Sequence, residues 1–146
     1  MITINGMSLT VEQVAAVARN YEQVVISEEA KQKVNKARAY VEKKLDEKAV
    51  VYGLTTGFGK FSDKYISIED TARLQRNLII SHSCGMGNPL PTEAVRAAML
   101  LRCNALCRGN SGIRLSTIET LLAMLNNRVH PIVPEKYCCL HENKHK

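Results

Sequence analysis

The sequence predicts a mainly α chain with a few short β-strands, and three observations carry that prediction. Apolar residues recur at offsets of three and four through most of the length, the period of a helix with one buried face. Residues suited to helix capping, Thr10, Ser27, Ser67 and Thr92, stand in front of those stretches. Clusters of Gly, Pro and Asn stand behind them, where helices end.

Taken in order, Ile2 to Met7 alternates apolar and polar residues up to Gly6, the pattern of a short edge strand. Thr10 with Gln13 forms a capping box ahead of Val11, Val14, Ala15 and Ala18, which share a helical face ending near Asn20. Val24 to Ile26 is a second short extended piece. Ser27 then caps a longer helix carrying Ala30, Val34, Ala37, Val41 and Leu45, and this helix stops before Val50. Ser67 with Asp70 opens a helix through about His82, in which Gln75, Leu78, Ile79 and His82 share one side. Leu78 and Ile79 read as packing residues. Gly85 to Pro91 must break that helix, and Thr92 starts another that is apolar on more than one side, as if neighbours beyond this chain covered it. Gly109 and Gly112 end it. Leu115 to Leu125 is helical again, with Ile118, Leu121, Leu122 and Leu125 as its stripe, and Val129 to Pro134 reads as extended because each proline biases the residue before it.

The chain has 146 residues, 45% of them hydrophobic and 23% charged, which fits one ordinary soluble domain. No apolar run approaches the ~18 residues of a membrane helix, and Met1 to Asn20 has neither a basic leader nor a continuous apolar segment. A cytoplasmic protein without a membrane partner is expected. Five cysteines, without a secretory signal, argue for reduced thiols. The net charge of +6 raises the question of nucleic acid. The basic residues between Lys31 and Lys48 are interleaved with Glu42, Asp46 and Glu47, however, with Tyr40 as the one aromatic. That is a solvated helix face with i,i+4 pairing, and no nucleic-acid partner is expected. Arg96, Arg102, Arg108 and Arg114 turn around the helix and make no stripe.

Chemistry concentrates in Tyr52 to Gly59, Y-G-L-T-T-G-F-G. Gly53, Gly57 and Gly59 permit backbone shapes and close approaches that other residues resist, while Thr55, Thr56 and Tyr52 bring hydroxyls to the same loop. The spacing lacks the third glycine of a dinucleotide fingerprint and the lysine of a phosphate-binding loop. Either a ligand-binding loop or a tight connection in which Tyr52 caps a core satisfies these residues. His82 is equally open, as a functional imidazole or as a helix-face histidine bonded to a backbone carbonyl.

Four blocks in order, Y-G-L-T-T-G-F-G at 52, L-Q-R-N-L-I-I-S-H-S-C-G-M-G at 74, R-G-N-S-G-I-R at 108 and H-P-I-V-P-E-K at 130, make a specific pattern. It resembles the N-terminal part of the histidine ammonia-lyases, within the family that also holds the phenylalanine and tyrosine ammonia-lyases. The match runs from near residue 2 to Lys136. The resemblance implies the N-terminal portion of the ammonia-lyase helical fold over residues 1–136 and a small-molecule amino-acid substrate in a homotetrameric enzyme. The family reaction is non-oxidative elimination of ammonia, which for L-histidine gives urocanate. Elimination requires removal of a weakly acidic proton and loss of a poor leaving group, so a base and an electrophile are both needed. The resemblance casts Tyr52 as the catalytic base, His82 as the residue that contacts the substrate side chain, and Gly53, Thr55, Thr56, Gly57 and Gly59 as the loop supporting the site. Ser81-His82 fits the histidine or tyrosine branch better than the phenylalanine branch, where an apolar pair is usual.

The family's electrophile is a methylidene-imidazolone group (MIO) made from an internal Ala-Ser-Gly, and no Ala-Ser-Gly occurs in this sequence. The expectation is therefore a chain without cofactor and inactive by itself, ending at residues 137–146 in a disordered tail unlike the family, as from a truncated gene. Cys138, Cys139, His141 and His145 superficially resemble a soft metal site, but adjacent cysteines are poor zinc ligands beside a C-x₂-C pair, and no metal is expected. Cys103 and Cys107 lie one turn apart and read as packing. The runners-up are a tyrosine ammonia-lyase, or related lyase or aminomutase, fragment and a non-catalytic module that joins full-length subunits.

Overall fold

The computed structural model describes residues 1–47, 49–51, 56 and 68–137. Their elements run β1 (Ile2–Ile4), α1 (Val11–Asn20), β2 (Val24–Ile26), α2 (Glu28–Asp46), α3 (Ile68–His82), β3 (Gly85–Pro89), α4 (Thr92–Leu106), α5 (Leu115–Asn126) and β4 (Pro134–Tyr137). The mainly helical prediction holds. The chain divides into two compact units, one of Met1–Glu42 with Leu90–Val133, the other of Lys43–Pro89 with Pro134–Lys146.

In the first unit, β1 and β2 pair in parallel, Ile2 opposite Val24 and Ile4 opposite Ile26, with α1 as the crossover that parallel strands require. The Thr10 hydroxyl accepts the Gln13 N–H at 3.3 Å and the Gln13 side chain accepts the Thr10 N–H at 3.1 Å, so the capping box is complete. The Ser27 hydroxyl accepts the Ala30 N–H at 3.2 Å and starts α2. Asn126 acts as a substitute strand at the sheet edge: its amide donates to the Val24 carbonyl and its oxygen accepts the Val24 N–H, both at 2.9 Å. Ile4, Val17, Val24, Ile26, Ala30, Val34, Leu100, Cys103, Leu106, Cys107, Ile118, Leu122 and Leu125 form the core. Both cysteines pack there as the sequence indicates, and burial pushes their thiols up to about 11.

Arg96, one of the four arginines that turn around the helix without making a stripe, is 1% exposed and ties two helix ends together. Its Nε donates to the Ala18 carbonyl at 3.3 Å, Nη2 to Val17 at 2.8 Å and Nη1 to Leu125 at 2.9 Å. These carbonyls belong to the last turns of α1 and α5, which lack partners within their own helices and carry the negative end of the helix dipole. The guanidinium also lies 4.2 Å from the centre of the Tyr21 ring, with the Arg128 guanidinium 4.8 Å from the same ring. Burial lowers the Arg96 pKa from its ordinary value, and arginine remains a cation nonetheless.

In the second unit, the structure adds to one sequence reading and corrects another. The Gly85–Pro91 break does end α3, but as strand β3, antiparallel to β4 with Gly85 opposite Tyr137 and Met86 opposite Lys136. A G-M-G-N-P stretch has no strand propensity of its own, so pairing with a distant partner decides. Residues 129–133, which belong to the first unit, are non-helical as their prolines predict, and strand β4 begins at Pro134. Ile79, read as packing, is 65% exposed, and its neighbour Ile80 is 62% exposed.

Candidate functional site

Tyr52, Gly53, Thr55, Gly57 and Gly59 lie outside the described residues, as do Cys138, Cys139, His141 and His145. Of the predicted site residues, Thr56 and His82 are described. Thr56 is 2% exposed, so its hydroxyl is withdrawn from solvent rather than displayed on a surface turn. His82 ends α3 and is exposed.

The local sequence fixes the imidazole. His82 Nδ1 lies 2.9 Å from the Leu78 carbonyl one turn earlier, and the Ser81 hydroxyl donates to the same oxygen at 3.0 Å. A carbonyl can only accept, so Nδ1 carries the proton, and in the neutral ring Nε2 then bears the lone pair. Ser81 Oγ also lies 3.0 Å from Nδ1, beside the ring. Of the two readings left open by the sequence, the carbonyl bond is present, and in that tautomer Nε2 is the ring's acceptor atom. The Ser83 hydroxyl donates to the Ile79 carbonyl at 2.6 Å, so the final turn is tied once more by a side chain.

Beyond this turn the exposed Cys84 leads into β3. Gly87 takes φ +91°, where a side chain would be strained, and a Cβ there would lie 3.2 Å from Glu135 Oε2. The Glu135 carboxylate accepts the Asn88 N–H at 3.3 Å and so joins β4 to the strand that follows His82. Sequence reasoning gave Glu135 no part, because its partner is distant along the chain.

The residues present do not fit the MIO group. The one Ser-Gly step, Ser111-Gly112, is preceded by Asn110 rather than alanine. Among the described residues no cluster of three or more His, Cys, Asp or Glu is placed to hold a metal ion, and no helix is long and apolar enough to cross a membrane.

The family model described as aromatic amino acid lyase matches residues 9–137. A histidine ammonia-lyase of Caldanaerobacter subterraneus subsp. tengcongensis is 56% identical over 135 residues, covering 92% of this chain and 27% of the relative. The crystal structure of histidine ammonia-lyase from Trypanosoma cruzi superposes with a TM-score of 0.86 at 38% identity, over 92% of this chain and 26% of that one. That of the ergothioneine-degrading ergothionase from Treponema denticola gives 0.86 at 36%, over 92% and 27%. The chain thus spans about a quarter of the length of the relatives it matches.

Proposed function

The chain belongs to the aromatic amino acid lyase family, and from that membership we propose that it carries the N-terminal part of a histidine ammonia-lyase, whose reaction eliminates ammonia from L-histidine to give urocanate. The observation that supports this substrate over the tyrosine alternative is the 56% identity to a histidine ammonia-lyase. The geometry of His82 agrees with it. With Nδ1–H committed to the Leu78 carbonyl, Nε2 is an acceptor for the N–H of a substrate imidazole.

In this reading Tyr52 is the base. Its phenol, ordinarily titrating near 10, needs neighbouring positive charge or dipoles to work near neutral pH. Thr56 and the glycines at 53, 57 and 59, with Thr55, shape the loop that carries it. The whole enzyme acts on a free amino acid as a cytoplasmic homotetramer. The 146 residues alone supply base and substrate contact without the electrophile, and catalysis fails when the reacting groups are not held in one site. They are inactive by themselves.

The test is a chimera in which residues 1–136 replace the matching segment of the Caldanaerobacter enzyme, assayed by urocanate absorbance. Histidine turnover by the chimera, with none by the 146-residue chain, is expected. A chimera that prefers phenylalanine or tyrosine overturns the substrate assignment.

A further inference from the structure

Within the first unit, α2 and the loop after α4 bound a cleft of ≈ 610 Å³ that none of the chemistry above uses. Lys33, Lys36 and Tyr40 line it from α2, and Arg108, Asn110 and Ser111 line it from the loop. Among the described residues no carboxylate lines it. The nearby acids are engaged: Glu29 pairs with Lys33 at 2.7 Å, and Glu42 pairs with Arg38 at 2.8 Å. Lys36 and Arg108 have no acid partner among the described residues. Counting Glu29 against Lys33, the cleft keeps an excess of two positive charges.

The loop adds donors of a second kind. Gly109 and Gly112 take φ +75° and +65°, and each is pressed against α2, Gly109 on the Lys33 backbone and Gly112 on the Val41 side chain. Arg38 holds the turn by donating to the Gly112 carbonyl at 3.4 Å. Between these fixed points the backbone N–H groups of Asn110, Ser111 and Gly112 have no acceptor among the described residues. Successive N–H groups in a turn that mixes left- and right-handed residues form a concavity that attracts anions. The Ser111 hydroxyl oxygen accepts the Ile113 N–H at 3.5 Å, so its proton remains to donate. Ala37, Val41 and the Tyr40 ring give the cleft an apolar side. Its volume falls in the range of small-molecule sites, about 300–1,000 Å³, larger than a bare oxyanion needs.

We propose that this cleft binds a small organic phosphate, its phosphate on Lys36, Arg108 and the amides of residues 110–112 and its organic body against Ala37, Tyr40 and Val41. Lys33, already shared with Glu29, supplies the outer charge. The proposal is independent of the lyase reading.

The test is an amide NMR titration of the ¹⁵N-labelled 146-residue chain with phenyl phosphate and, separately, inorganic phosphate. The Asn110, Ser111 and Gly112 signals are expected to move with both, and phenyl phosphate binds more tightly because only it uses the apolar side. Removing one unit charge about 4 Å away in high dielectric changes affinity about fivefold. Lys36→Gln and Arg108→Gln, both exposed side chains, each weaken binding by about that factor, and Glu29→Gln tightens it. Lys43→Gln, elsewhere on the basic face, leaves it unchanged. Unmoved amides at 110–112, or equal weakening by Lys43→Gln, overturn the proposal. A duplex oligonucleotide whose affinity grows with its length and exceeds that of phenyl phosphate would overturn it in favour of a nucleic-acid surface.

Discussion

Replacing Arg96 with methionine keeps the length of the side chain and removes only the guanidinium. Three carbonyls, those of Val17, Ala18 and Leu125, then lose donors at 2.8 to 3.3 Å at a residue that is 1% exposed; Leu125 keeps the Arg128 N–H at 3.3 Å, and the Val17 and Ala18 carbonyls are left unpaired. A buried acceptor left unpaired costs about 1–3 kcal/mol, and the stacking on Tyr21 contributes roughly another 1 kcal/mol. Against this, methionine no longer has to be stripped of the water that a cation holds, which returns part of the loss. The net expectation is a destabilisation of about 3–5 kcal/mol, or on the order of 10 °C in Tm for a chain of this size. Arg96→Lys keeps the charge but replaces a planar fork with a single ammonium, and about half the loss is expected. Urea unfolding followed by far-UV circular dichroism, at protein concentrations low enough to suppress association, reads both variants. If Arg96→Met lies within about 1 kcal/mol of the parent, the helix ends are not held by this residue and the account is wrong.

In the chimera, Tyr52→Phe removes only a hydroxyl, and kcat is expected to fall about 100-fold or more with Tm unchanged; equal turnover would reduce Tyr52 to packing. His82→Leu in the same enzyme should lower kcat/KM for histidine at least tenfold, whereas a variant as fast as its parent would remove His82 from the substrate. Cys103 and Cys107 should make stability fall between pH 9 and 11: unfolded thiols lose their protons near 9.0, folded ones only near 11, so in that window the unfolded chain binds fewer protons. Their contribution is whole below pH 9, and a Cys103→Ala/Cys107→Ala variant should lose that part of the slope in urea titrations. The 146-residue chain should self-associate, because Ile79, Ile80 and Met86 are 65%, 62% and 76% exposed. Sedimentation of Ile79→Lys/Ile80→Glu should shift toward monomer, and an unshifted distribution would locate the sticky surface elsewhere.

Elements whose signals lie within one turn of the chain were legible. The Thr10–Gln13 box, the Ser27 cap and the stripe of α5 each depend on residues three or four apart, and each is where the sequence puts it. Arg96 was not legible, because its acceptors lie 29, 78 and 79 residues away and are backbone atoms, which leave no mark in side-chain patterning. For the same reason β3 looked like a mere helix stop: its partner strand begins only at Pro134. The candidacy of His82 as a site residue came from a resemblance, since one histidine on a helix side shared with Leu78 and Ile79 has no spacing to betray it. Its tautomer needed the Leu78 carbonyl to be seen in place.

The first unit is assembled from two separated stretches, Met1–Glu42 and Leu90–Val133, and this has a bearing on how the protein is born. Strands β1 and β2 and helices α1 and α2 leave the ribosome before any of α4 or α5 exists, yet Ile4, Val17, Val24 and Val34 are sealed together with Leu100, Ile118 and Leu125. At about 5–20 residues per second, the emerging N-terminal half waits on the order of several seconds with half a core uncovered. Closing the loop over residues 43–89 adds an entropic barrier that local helices do not face. A nascent chain in that interval is a natural client for holding chaperones, and a rearranged gene that joins residue 42 directly to residue 90 would shorten the wait.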